Sequence, residues 1–125
     1  MRVRGFRWVG VETERVAEMR QFAIDVLGLR VHEHDSENFV ELLTADGSRF
    51  ELFGPAVGAA EQFVENKVMA GFLVDDIEAA RRELEATHGV TLLGDVETIP
   101  SGYSWQHFRA PDGRVYELVM DPLAG

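Results

Sequence analysis

FVELLTADGSRFELF at residues 39–53 lies over WQHFRAPDGRVYELV at residues 105–119 without a gap, at a spacing of 66. Asp46, Gly47, Glu51 and Leu52 meet Asp112, Gly113, Glu117 and Leu118, and Phe50 meets Tyr116. Upstream, residues 8–31 lie over 69–92 at a spacing of 61, which sets Gly10, Arg20 and Gly28 on Gly71, Arg81 and Gly89. The chain is one supersecondary unit written twice in the same order, so the chemistry is sought on what the two copies share and where they differ.

The length of 125 residues fits a single domain, 1–125, made of module one (5–54), a linker (55–67) and module two (68–121). Hydrophobic residues make up 46% and charged residues 27%, ordinary for a soluble globular chain. The absence of cysteine removes disulfides, thiolate metal sites and thiol nucleophiles. A net charge of −10 argues against nucleic acid and against anionic membranes as partners. MRVRGFRW carries no apolar run after its basic residues, so no signal peptide is expected and a cytoplasmic location is the default.

Each copy reads as strand, helix, strand, strand, strand. FRWVGVET begins the first, and a helix is expected from about Glu14 to Leu27, with Val16, Met19, Phe22, Ala23, Val26 and Leu27 on one face. Thr13 is the expected cap and Gly28 the left-handed stop. Leu29 to Glu33 then reads as a strand. VMAGFLV opens the second copy, Asp75 and Glu78 resemble a capping box, and Val90 to Leu93 is the next strand, followed by GDVETIPSGYS as a long loop or irregular edge. Phe63 and Val64 suggest an ordered linker.

The hairpin turns decide which side chains share a face. Ala110-Pro111-Asp112-Gly113 suits a type I turn with Gly in the bulge that follows, which sets His107 opposite Glu117. The equivalent Ala45-Asp46-Gly47 turn sets Glu41 opposite Glu51. One face of the hairpins then carries Val40, Leu42, Phe50 and Leu52, and Phe108, Tyr116 and Leu118 with Gln106 as the exception; this face suits the helices. The other carries Phe39, Glu41, Leu43, Arg49, Glu51 and Phe53, and Trp105, His107, Arg109, Val115, Glu117 and Val119, joined by Trp8, Gly10, Glu12, Met69, Gly71 and Leu73 from the first strands. Aromatics interleaved with acids, arginines and a histidine describe a partly apolar small-molecule cup; the plainer alternative is a solvated sheet face.

FAIDVLGLRV, FLVDDIEAA and FRAPDGRVYELV together resemble the vicinal oxygen chelate superfamily, which includes glyoxalases, extradiol dioxygenases, methylmalonyl-CoA epimerase and bleomycin-resistance proteins. The resemblance covers almost the whole chain. It implies an α+β fold of two βαβββ modules forming an eight-stranded, partly open barrel around a cup, and a homodimer. It also implies metal ligands at four positions, a His on the first strand and a Glu on the last strand of each module. Those last-strand positions are Glu51 and Glu117; the first-strand positions fall on Trp8 and Met69, neither a usual ligand for a hard divalent ion.

Several readings stay open at this point. Glu51 and Glu117 read as relics of a metal site, as ligand anchors or as an acid–base pair, or they simply pair with neighbours such as Arg49 and Arg109. His107 is a proton-transfer or substrate-orienting group, or a packing histidine. Trp8, Phe39, Phe53 and Trp105 stack on a ligand with Glu41, Met69 and Arg109 beside them, or they are ordinary core. HEHD at 32–35 has metal-like composition but reads as a solvated strand, and His88 as a complement to a helix end. The expectation is a small-molecule-binding protein with no cofactor. The alternative is a metal-dependent lyase, isomerase or dioxygenase using Glu51, Glu117 and His107.

Overall fold

The computed structural model describes residues 1–55 and 67–124; the linker residues Phe63 and Val64 lie outside them. The two turns take the expected form. Gly47 and Gly113 hold φ at +84° and +82°, a region open to glycine but strained for other residues. Gly47 N–H donates to Thr44 O at 3.0 Å and Gly113 N–H to Ala110 O at 2.9 Å, each closing a turn with a bulge after it. The odd loop length fixes the antiparallel register of β3 (Phe39–Leu43) on β4 (Arg49–Phe53) with Glu41 opposite Glu51. In β7 (Ser104–Arg109) and β8 (Val115–Met120) it sets His107 opposite Glu117.

The chain divides into two compact units, Trp8–Met69 and Met1–Arg7 with Ala70–Gly125. In the first, β1 (Gly5–Glu12) runs parallel to β4 and β2 (Arg30–Asp35) pairs with β3, giving the order β2-β3-β4-β1. Helix α1 (Val16–Asp25) covers this sheet through a core of Val16, Ala23, Val40, Leu42 and Leu52. In the second, β5 (Val68–Leu73), β8, β7 and β6 (Thr91–Thr98) follow in that order beneath α2 (Ile77–Glu85). Its core is Val74, Ile77, Ala80, Phe108 and Leu118. Alternation along the strands sends Val40, Leu42, Leu52, Phe108 and Leu118 to the helix side, and full burial of a Leu such as Leu52 is worth about 1.5–3 kcal/mol. The fold is α+β, with eight strands and two helices among the described residues. Among the same residues no helix is long and apolar enough to cross a membrane.

Local details depart from the sequence reading. The chain leaves α1 at Asp25, and Leu29 N–H turns back to Ala23 O at 2.9 Å through Gly28 at φ +73°. Val26 and Leu27 therefore lie beyond the helix and are exposed, as is Phe22, so the buried stripe narrows to Val16, Met19 and Ala23. Thr13 Oγ1 accepts from Arg15 N–H at 3.0 Å just before the helix rather than capping its first turn. Helix α2 is capped by Asp76, which accepts from Ala79 N–H at 3.0 Å, while Asp75 accepts from Arg4 Nη1 at 2.8 Å. Strand β6 continues to Thr98 through a register shift between Leu93 and Glu97 at the end of the strand order, so the first part of GDVETIPSGYS takes the irregular-edge form rather than the loop.

Gln106, the polar exception on the helix face, is fully buried and satisfied. Arg81 Nε donates to its Oε1 at 2.9 Å, and its Nε2 donates to the carbonyls of Gly94 and His107, each at 2.9 Å. Asp112 secures the second turn. Its carboxyl is held below the usual carboxylate value first by the Arg114 N–H and then by the Tyr116 hydroxyl, at 2.9 and 2.7 Å. A carboxyl more acidic in the folded chain than in the unfolded one stabilises above the ordinary value, and that stability fades as pH falls through the folded value. Asp112→Ala is expected to lower Tm at pH 7, with the gap to wild type narrowing below about pH 4 in a pH series of thermal melts. A gap that stays constant with pH would assign the turn's stability elsewhere.

Candidate functional site

The mixed faces are best described unit by unit. In the first, the parallel register places Trp8 beside Arg49 and Gly10 beside Glu51. Trp8 and Gly10 share a face, and the indole lies over the glycine. A Cβ at residue 10 would meet Trp8 Cη2 at 2.3 Å and Cζ2 at 2.5 Å, with Phe53 Cε2 at 3.2 Å. Glycine inside a strand marks such a close approach, and here the approaching group is the chain's own tryptophan. The ring is thereby aimed so that its N–H donates to Glu51 Oε1 at 2.8 Å. Trp8 is 6% exposed and Glu51 8%, so this is a buried, charge-assisted contact.

Glu41 faces Glu51 directly across the strands, a like-charge juxtaposition that costs energy unless each carboxylate has its own donor. Arg49 Nη1 supplies one to Glu41 Oε2 at 3.0 Å. The aromatics stack in sequence: Trp8 meets Phe53 edge-on at 6.4 Å, and Phe53 stacks on Phe39 at 4.9 Å. The plainer reading of Trp8 and Phe53 as core fits their burial, while Phe39 keeps a partly open ring. Met69 is buried and offers only a thioether.

The second unit uses the same register differently. His107 Nε2 and Glu117 Oε2 lie 2.8 Å apart, with side-chain exposures of 14% and 5%. The pair joins neighbouring strands, so its geometry is set by the hairpin rather than by a loop. Trp105, His107 and Arg109 alternate on one face of β7 and are each partly exposed. Tyr103 packs against Trp105 at 6.1 Å. Arg109 Nη1 donates to Gly113 O at 2.6 Å, which ties the strip to the turn. Glu117 meets the imidazole across the hairpin, while the Arg109 guanidinium reaches the turn carbonyl.

The ligand positions implied by the family resemblance do not fit a divalent ion. An indole N–H is a donor only, and at residue 8 it is spent on the very carboxylate that would have been its co-ligand. Glu117 is engaged by His107. The alternative set Glu51, His107 and Glu117 draws on both units, and each carboxylate has a partner within its own.

Sequence reasoning missed the buried ion pair of Arg7 Nε with Asp121 Oδ2, at 2.8 Å and with both side chains 9% exposed. Arg7 reads as part of a basic N-terminus, and nothing local announces a partner 114 residues away. It also missed the role of Gly10, although a glycine between valines in a strand was a signal of close approach.

Two substitutions test this arrangement. Gly10→Ala is expected to cost about 1–3 kcal/mol, because the added methyl must displace a packed indole. Trp8→Phe keeps a ring but loses the donor to Glu51 and should cost about 1–3 kcal/mol. Chemical denaturation measures both; a change within about 0.5 kcal/mol for Gly10→Ala would mean that the indole does not rest there.

No protein-family model matches the sequence, and none of the curated proteins matches it. Solved structures do. A Streptomyces coelicolor methylmalonyl-CoA epimerase variant in complex with 2-nitronate-propionyl-CoA has a TM-score of 0.70 at 18% identity, covering 98% of each chain. The Mn(II)-bound glyoxalase from Novosphingobium aromaticivorans scores 0.73 at 23% identity, covering 96% of this chain and 40% of that one. A glyoxalase/bleomycin resistance protein/dioxygenase superfamily member from Vibrio splendidus 12B01 scores 0.61 at 23% identity, covering 93% and 99%. The repeat, the paired four-strand units and these likenesses agree: the chain has the vicinal oxygen chelate fold, that of the glyoxalase, bleomycin-resistance and dioxygenase superfamily.

Proposed function

We propose that this protein binds a small organic molecule and does so without the metal positions usual for its fold. The observation that carries the reading is the Trp8–Glu51 hydrogen bond across Gly10, which fills a ligand position with an N–H donor. The ligand-facing strip is Trp105, His107 and Arg109 on β7, where an aromatic plane, an imidazole backed by Glu117 and a guanidinium lie at alternate positions. Such a strip suits a ligand with an apolar or aromatic surface and one polar group. The epimerase complexes among similar structures suggest acyl-CoA thioesters as the first class to try, beside flat antibiotics. The reading includes the homodimer common in the family, which light scattering tests.

The 2.8 Å contact of His107 with Glu117 favours one second reading, an isomerase that moves a proton through the imidazole. Methylmalonyl-CoA in deuterated water would then exchange its acidic C–H, and His107→Asn would slow that exchange about 10²–10⁴-fold.

Quenching of tryptophan fluorescence across the ligand panel tests the binding reading. A saturable response that is lost in Trp105→Phe and weakened at least about tenfold, or 1.4 kcal/mol, in His107→Ala is expected. Silence from every ligand class would count against it. So would a stoichiometric divalent ion that leaves on Glu51→Gln or Glu117→Gln.

A further inference from the structure

HEHD at residues 32–35 is the motif that neither the binding strip nor the Trp8 face absorbs. In a regular strand Glu33 and His34 would point to opposite faces. Here the pairing of β2 with β3 shifts register between Val31 and Asp35, and the strict alternation is lost. As a result one ligand atom each from Glu33, His34 and Glu41 lies within 4.8 Å of the other two. Asp35 is not available to them, because Arg20 holds it through two hydrogen bonds of 2.7 and 2.8 Å.

A second observation points the same way. Glu41 is 4% exposed, and its Oε1 has no hydrogen-bond partner. A buried carboxylate oxygen left unbonded is costly and calls for an explanation. The atom facing it is His34 Nε2, at 3.5 Å. That is long for a hydrogen bond, yet it matches the separation of about 3.3–3.5 Å between two ligands of one tetrahedral zinc with bonds near 2.0–2.2 Å. The other oxygen, Oε2, takes Arg49 at 3.0 Å, an orienting contact of the kind that outer partners give metal ligands. Glu33 and His34 are exposed, so an ion can enter from solvent and water can complete its shell.

We infer that Glu33, His34 and Glu41 form a divalent-cation site of zinc type on the outer edge of the first unit. One imidazole and two carboxylates suit zinc better than calcium or magnesium, which favour all-oxygen shells. This site is separate from the family's ligand positions, Trp8 and Glu51 in this unit. Its ion would bridge β2 to β3 and neutralise the carboxylate that faces Glu51. His34 also packs on Phe39 at 5.3 Å, so occupancy would fix the ring that heads the Phe39–Phe53 stack.

Calorimetric titration of tag-free protein with zinc chloride in a non-coordinating buffer tests the site. One zinc per chain is expected, with His34→Ala and Glu33→Gln each weakening it at least tenfold. His88→Ala, which removes an exposed histidine outside the cluster, should leave it unchanged. Zinc should also raise Tm in wild type and not in His34→Ala, a readout independent of heat of binding. Both tested side chains are exposed, so the variants are expected to fold. No zinc binding, or binding indifferent to His34→Ala and Glu33→Gln, overturns the inference. Zinc binding abolished by Glu51→Gln but not by His34→Ala overturns it too, and it would count instead against the metal-free reading of the Trp8 face.

Discussion

The Trp8 indole, lying over Gly10 and donating to Glu51, is the contact on which the first unit turns. A carboxylate this deeply buried needs hydrogen-bond donors, and this tryptophan provides one while also filling the space above a glycine. The two demands reinforce each other. A side chain at residue 10 would lift the ring, and a lifted ring would no longer reach Glu51. The same arrangement disposes of the first-strand metal ligand, because a group that donates its only N–H has nothing left to coordinate with.

Duplication has kept the scaffold and changed its contents. Both hairpins carry a glycine-closed turn with one odd residue, and both set the last-strand glutamate opposite the middle of the preceding strand. In the first unit the opposing residue is Glu41, so two acids must be held apart by separate donors, Arg49 and Trp8. In the second it is His107, and the cross-strand pair is complementary. One register thus yields a packed aromatic–acid face in one copy and a partly open aromatic–basic strip in the other.

What could be read from the sequence follows from how local each cause is. The turns were legible because Asp-Gly after a tight bend leaves few backbone solutions, and the pairings Glu41 with Glu51 and His107 with Glu117 come directly from them. The helix-facing residues Val40, Leu42, Leu52, Phe108 and Leu118 were legible from alternation alone. Gln106 broke that pattern, and only the fold supplies Arg81 and the β6 carbonyls that satisfy it. The direction of the Trp8 ring and the Arg7–Asp121 pair depend on contacts across long stretches of chain, where sequence gives no spacing rule. For HEHD the sequence showed the metal-like composition but not that Glu33, His34 and Glu41 come together, because a bulge cancels the alternation by which strands are read.

Hydrogen exchange of the two indole N–H protons, followed by NMR, tests the central claim most directly. The account predicts slow exchange for Trp8, held on a buried carboxylate, and slowing lost in Glu51→Gln, with Trp105 exchanging faster in both proteins. Equal and rapid exchange of the two indoles in the wild-type chain would contradict it.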